Sequence, residues 1–398
     1  MKAKNFNVVL WSYHPVEYHS PIYEELELLS NNCGYNFNVA FGSNYSLKKN
    51  FNPEYNASFG YDLKSSGLEK NFRYKFYNNY VFSENPIKFF SRFNPGFIKN
   101  ILLKRYQLII LQGVRNPTGL LALLFAKLLR IPIFLRGEFL LMEGFQDRKI
   151  NFILTKIIYS FFDGFIYSSG GGLQYLKKHS LDHRRLCYAP SCIDHKKFYD
   201  LKENSNLKKD IIYKDIGCKM SKLVCVMPGR LTKRKGHEYF FKSLERLDSA
   251  TKDKLFIIII GDGPERLSIQ NKLNALNISH YISGFINHSE MADLYSIADF
   301  GVLLSDHDPS PKVLNEMMLF GLPVICSQDV GTSEDMIEQS DNGFIVNPKN
   351  IDEVLYAVKC LLESGLRLEM QVKNLDHIEN FSPLVCAKNI NNLILNYI

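Results

Sequence analysis

At 398 residues, 46% of them apolar and 22% charged, the chain exceeds one ordinary core and has the make-up of a folded globular protein. That composition excludes intrinsic disorder and predicts two domains of roughly 150–200 residues. The net charge of +7 suits an anionic substrate, an acidic membrane surface or nucleic acid, but no recognition helix, zinc-finger spacing or basic tail supports the last. Eight cysteines without a C-x-x-C pair read as reduced, mostly buried thiols of a cytoplasmic protein.

The basic start leads into "NFNVVLWSY", an apolar run too short for a signal peptide, which reads as a first strand. Ser20 and Pro21 then form a helix start, leaving His14, Glu17 and His19 on the preceding loop. His-x4-His admits a metal, a sugar or acceptor contact, or a plain loop. Further strands are predicted at "YNFNVAFGS", "YQLIILQG", "IPIFLRGE", "DGFIYSS" and "RLCYAPS", with an irregular stretch between about residues 44 and 105. Within it, Ile87–Gln107 interleaves aromatic residues with Arg92, Lys99, Lys104 and Arg105. On an exposed helix that pattern suits anionic phospholipid; packed inward, it is core with a wet face. Gly119–Leu135 is very apolar but broken by Lys127, Arg130 and Pro132, so a buried helix and a strand are expected, not a membrane span. Arg136 and Glu138 close that strand.

Leu201–Lys222 is polar and charged and reads as a linker. Beyond it, strands are predicted in "KLVCVMPG", "KLFIIIIGDG", "HYISGF", "ADFGVLLSD", "GLPVICS" and "NGFIVNP". Helices are predicted at Gly236–Ala250, Pro264–Leu276, Ser289–Ile297 and Ser310–Phe320. Such alternation implies a parallel sheet covered on both faces, and continuous apolar strands such as "FIIII" are what that burial requires. Two open α/β domains follow, with ligand bound beyond the carboxyl ends of the strands in the cleft between them.

Chemistry concentrates in three places. In "PGRLTKRKG", Gly229 lets backbone approach a ligand, Arg230 offers a bidentate fork and Lys235 a point charge, a geometry suited to a diphosphate or to a solvated basic turn. "GDGPER" lacks the third glycine of a dinucleotide fingerprint and reads as a tight turn at Gly263, with Pro264 first in its helix. In "DHDPSPKVLNEMMLFGLPVI", Ser310 is expected to cap a helix with Pro311 at its first position, so that Asp308 precedes the helix and Glu316 lies two turns in. Lys312 and Glu316 are spaced for a surface ion pair or, alternatively, for a bound sugar nucleotide.

The order G-R-x4-K-G, G-x-G-P and acid-x7-Glu followed by Gly-x-Pro-Val resembles glycosyltransferase family 4, retaining enzymes of the GT-B fold. The similarity covers most of Leu223–Pro348 and is fainter before it, where "APSCIDHKKF" resembles a Pro-Asn-Gly-x-Asp segment with Asp194 kept. It implies two Rossmann-like domains facing across a cleft: 1–200 binding acceptor, 201–222 linking, 223–378 binding the nucleotide sugar, and a helix in 379–398 returning to the first. Arg230 and Lys235 would bind the donor diphosphate, Glu316 the ribose and Asp308 the donor sugar. Gly229, Gly263, Gly284, Phe285, Ser310, Lys312 and Val313 would complete the donor site. His14, Glu17, His19, Arg136 and Glu138 would be the acceptor or sugar contacts.

Three departures from the family pattern stand out. Asp308 replaces the usual Glu, Pro309-Ser310-Pro311 replaces Pro-Phe-Gly, and Val330-Gly331-Thr332-Ser333-Glu334 replaces the Gly-Gly-x-x-Glu loop. The resemblance implies a sugar nucleotide as co-substrate, no cofactor or metal, and a glycan or lipid-linked acceptor. It also implies a cytoplasmic enzyme able to sit on the inner face of a membrane. A sugar-nucleotide epimerase, a phosphorylase, a nicotinamide oxidoreductase and a non-catalytic scaffold are the alternatives.

Overall fold

The computed structural model describes residues 6–44, 47, 50–52, 57–59, 68–80, 89–139 and 149–398. They form two compact units. One comprises Met1–Ile193 with Pro383–Ile398, the other Asp194–Ser382.

The first unit contains β1 (Asn7–Ser12), β2 (Asn36–Phe41), β3 (Asn50–Asn52), β4 (Ala57–Phe59), β5 (Tyr74–Phe76), β6 (Leu108–Gln112), β7 (Ile133–Gly137), β8 (Gly164–Tyr167) and β9 (Arg185–Tyr188). Seven of these make a parallel sheet in the order β5-β2-β1-β6-β7-β8-β9, and β3 and β4 pair separately. Successive residues of a strand face opposite sides of a sheet, so Val8 and Leu10 enter one core while Val9 and Trp11 enter the other. The helices Ser20–Cys33 and Pro383–Leu395 supply Tyr23, Leu26, Cys386 and Ile390 to the first core. The terminal helix thus returns to the first unit, as expected.

The second unit contains β10 (Leu223–Pro228), β11 (Leu255–Ile260), β12 (Ser279–Ile282), β13 (Phe300–Leu303), β14 (Val324–Ser327) and β15 (Gly343–Val346). They form a parallel sheet in the order β12-β11-β10-β13-β14-β15. Every residue of β11 is buried, as its unbroken apolar run requires. Leu255, Ile257 and Ile259 pack against Phe240, Leu244, Ile269 and Leu273 of the covering helices.

The stretch 201–222 is not the linker its composition suggested. It runs through the end of the helix His195–Asn206 and through the helix Lys209–Asp215, inside the second unit. Ser205 and Lys208 both engage Asp293, at 2.6 and 2.9 Å, and Ile212 is buried. Each short helix buries one narrow stripe, so polar residues dominate and hide the helical period.

Asn94 joins the irregular part of the first unit to its sheet. Fully buried, it donates through Nδ2 to the carbonyls of Gly42, Tyr77 and Asn78 at 2.8, 3.1 and 3.1 Å, and its backbone N–H reaches Thr118 Oγ1 at 2.9 Å. Replacing Asn94 by Ala strands these carbonyls and is expected to lower unfolding stability by about 2–3 kcal/mol. A urea titration showing less than about 0.5 kcal/mol of loss would contradict this account of the segment.

Candidate functional site

The turn after β10 is shaped by its backbone. Gly229 takes φ +139° and donates its N–H to Ile260 at 2.8 Å. Lys233–Lys235 form one turn of 3-10 helix, and Gly236, at φ +68°, caps the helix His237–Glu245. A Cβ at Gly236 would lie 1.9 Å from the Leu304 carbonyl oxygen, so only glycine lets this turn rest on the chain leaving β13. The Arg234 carbonyl in turn accepts the Asp306 N–H at 2.9 Å.

This contact sets Lys235 beside Asp308. Its Nζ lies 2.6 Å from Asp308 Oδ2, with the two side chains only 14% and 15% exposed. Asp308 is held by backbone on its other side. It bridges Val330, and its carbonyl accepts the Gly331 N–H at 2.8 Å. The altered loop at 330–334 therefore positions the carboxylate.

The helix that follows is Lys312–Leu319, with Pro311 rather than Ser310 at its cap and no side-chain cap bond. Ser310, buried, instead accepts from Lys312 Nζ at 3.1 Å. The extended backbone of Pro311 delays the helix by one residue and moves the hydroxyl from capping to orienting the ammonium. Val313 follows in the first turn, and Glu316, buried in the second, accepts from Tyr295 Oη at 3.0 Å. Nothing local in the sequence marks Tyr295, which reads as a core aromatic of the helix His288–Ser296.

Gly263 belongs to a turn that clasps the same segment. The Leu231 N–H donates to the Asp262 carbonyl at 2.9 Å, and Glu265 donates back to the Leu231 carbonyl at 3.0 Å. A Cβ on Gly263 would stand 2.4 Å from that carbonyl oxygen. Pro264 is not first in a helix; the helix runs Arg266–Ala275, because Pro264 and Glu265 complete the turn. Gly284 bridges Gly261, and the next residue, Phe285, is exposed.

The candidates of the first unit divide. Glu17–His19 form a single 3-10 turn leading into the helix Ser20–Cys33. His19 Nδ1 contacts Gln112 Nε2 at 3.1 Å, and Gln112 Oε1 accepts from Tyr23 Oη at 2.7 Å. Burial pushes the Tyr23 hydroxyl up to about 12, with the charge of Arg136 acting in the opposite sense. His19, Gln112, Tyr23 and Arg136 thus gather at the carboxyl ends of β6 and β7, and Arg136 Nη1 is buried without a hydrogen-bond partner. Gln112 and Tyr23 were absent from the sequence expectations. His14 turns to the Pro15 carbonyl at 2.9 Å, and burial lowers its pKa. Glu138 is exposed just past β7.

Solved structures align over nearly the whole chain. An Anabaena protein, HepE, crystallised with UDP, gives a TM-score of 0.68 at 15% identity over 100% of both chains. The lipopolysaccharide outer core galactosyltransferase WaaB in its apo form gives 0.69 at 17%, over 99% of this chain and 100% of that one. The fold is GT-B. Within this GT-B chain, residues 208–376 match the family model described as "Glycosyl transferases group 1". An uncharacterized glycosyltransferase of Methanocaldococcus jannaschii is 31% identical over 157 residues, 39% of this chain and 40% of that protein. The chain spans about two fifths of the length of the curated relatives it matches. The matched region contains the Lys235–Asp308 pair and Glu316.

His237, directly after the turn, is buried, and that burial together with Lys235 holds its pKa down to about 4. A depressed histidine pKa means the unfolded chain binds the extra proton, so stability is complete above about 6.5 and falls as pH drops toward 4. The contribution is up to about 3 kcal/mol across that window. Unfolding free energies at pH 7 and pH 5 are expected to differ by less in His237→Gln than in the parent; equal differences would contradict this placement of the imidazole.

Proposed function

We propose that the chain is a retaining glycosyltransferase that moves a sugar from a nucleoside-diphosphate donor to a glycan or lipid-linked acceptor, in bacterial surface polysaccharide or glycolipid synthesis. The observation that carries the proposal is the Lys235–Asp308 pair at the carboxyl ends of β10 and β13, within the region matching glycosyl transferases group 1. The UDP bound in the Anabaena structure and the likeness to WaaB, a lipopolysaccharide outer core galactosyltransferase, support the donor and pathway classes.

In this reading the donor diphosphate takes over Lys235, with Arg230 and Lys312 as further cations and the N-terminal amides of the helix Lys312–Leu319 as hydrogen-bond donors. Glu316, oriented by Tyr295, receives the ribose hydroxyls. The bond from the anomeric carbon to the phosphate oxygen breaks, and the acceptor oxygen bonds to that carbon on the same face. The acceptor proton passes to the departing phosphate oxygen. The chain's contribution is electrostatic: charge grows on the leaving diphosphate where cations already stand. The reaction so written requires no metal. Arg136, with His19, Gln112 and Tyr23, supplies polar contacts for the acceptor or sugar.

Thermal unfolding with UDP, GDP, ADP, CMP and NAD in turn tests the reading. A nucleoside diphosphate at about a hundred times its dissociation constant stabilises by about 2.7 kcal/mol, raising the melting point by several degrees. The expected result is a shift with one diphosphate that disappears in Arg230→Ala/Lys235→Ala. No shift with any nucleotide would favour a scaffold, and a shift with NAD alone an oxidoreductase. Turnover of a sugar nucleotide without any acceptor would favour an epimerase.

A further inference from the structure

The first unit carries apolar side chains on its surface that its own core does not take up. The helices Pro117–Leu128 and Lys149–Ser160 cover one face of the seven-stranded sheet, contributing Ala122, Leu123 and Ala126, and the partly buried Ile158 and Tyr159, to a single core. They are tied together twice: Arg115 donates to Thr155, and Lys127 pairs with Asp163 at 2.7 Å. Their outward sides should be polar. Instead Leu124 and Leu128 on the first helix, Ile153, Leu154 and Ile157 on the second, and Phe161 just beyond are each half exposed or more. The spacings 124/128 and 153/157/161 give two apolar rows at helical period.

Basic residues predominate around those rows, although Asp163 pairs with Lys127. Residues 95–137 contain no Asp or Glu, and neither does the segment 149–162. Lys99, Lys104, Arg105, Lys127, Arg130 and Lys156 are all exposed. Of the stretch Ile87–Gln107, read either as a lipid-facing helix or as core with a wet face, Phe97, Ile98 and Ile101 are buried and serve the core, while Phe89, Phe90, Leu102 and Leu103 are exposed. Residues 87–88 lie outside the described residues.

We propose that this face docks on an anionic lipid surface, the apolar rows entering the headgroup boundary and the lysines and arginines meeting lipid phosphates. Charge selects this occupant over a second copy of the chain. A two-fold dimer through the same face would set these cations against themselves. Among the described residues no helix is long and apolar enough to cross a membrane, so the contact is one of surface. The proposal does not depend on the donor-site reading, because every residue it uses lies in the first unit.

Sedimentation of the full chain with vesicles tests it, comparing phosphatidylcholine alone with an equimolar mixture containing phosphatidylglycerol. The chain is expected to pellet with the anionic vesicles and to be released by added salt. Arg130→Gln/Lys156→Gln should lower partition by about thirtyfold. Ile157→Gln/Phe161→Gln should lower it as well, while Leu267→Gln, an exposed leucine of the second unit, should leave it unchanged. Thermal melts confirm that each variant is folded. Failure of the parent chain to bind anionic vesicles would overturn the proposal. So would binding by both double variants as strong as the parent's, or concentration-dependent dimerisation in light scattering that either double variant abolishes.

Discussion

The contact between Lys235 and Asp308 is the interaction on which the second unit's site depends. Two nearly buried charges 2.6 Å apart attract by several kcal/mol at an effective dielectric near 20, but removing both from water costs a comparable amount. Such a pair contributes little net stability. Its importance lies in what happens when a partner changes. An anion of higher charge that reaches Lys235 replaces one carboxylate without leaving the ammonium alone, whereas deleting Lys235 leaves a carboxylate stranded.

The backbone explains why this pair exists. Lysines before a helix N-terminus oppose its dipole, and here the opposition is relieved by a carboxylate from another loop. Gly236 brings the turn down onto Leu304, and Arg234 takes the Asp306 N–H, so the chain beyond β13 must pass beneath the cations. From below, Val330 and Gly331 fix Asp308. The loop at 330–334 departs from the motif that the sequence resembles, as does the carboxylate it holds. The shorter Asp308 side chain and its backbone clasp form one local solution.

Much of this was legible in the sequence because the decisive signals are local. Continuous apolar runs such as Leu255–Ile260 marked the strands, and the glycines and charges of 229–236 and 308–316 marked the segments that the fold brings together at Lys235 and Asp308. What stayed hidden depends on partners distant in sequence. Tyr295 meets Glu316 across 21 positions, and Tyr23 meets Gln112 across 89. β5 is three residues long, and Tyr74 and Lys75 are exposed, so no alternation marks it. The helices in 195–215 bury too little to show a period. The Ser310 cap failed because extended backbone at Pro311 set the helix start one residue later.

The most direct test of the account is a double-mutant cycle on nucleoside-diphosphate affinity, measured by calorimetry for the parent chain, Asp308→Asn, Lys235→Gln and the double variant. If the carboxylate occupies the place that the diphosphate takes in the proposed donor complex, Asp308→Asn binds the nucleotide more tightly than the parent, by about tenfold. That gain vanishes when Lys235 is absent, a coupling of about 1.4 kcal/mol. Unchanged or weaker binding by Asp308→Asn, or the same effect of Asp308→Asn with and without Lys235, would contradict the claim that this pair is the seat of the diphosphate.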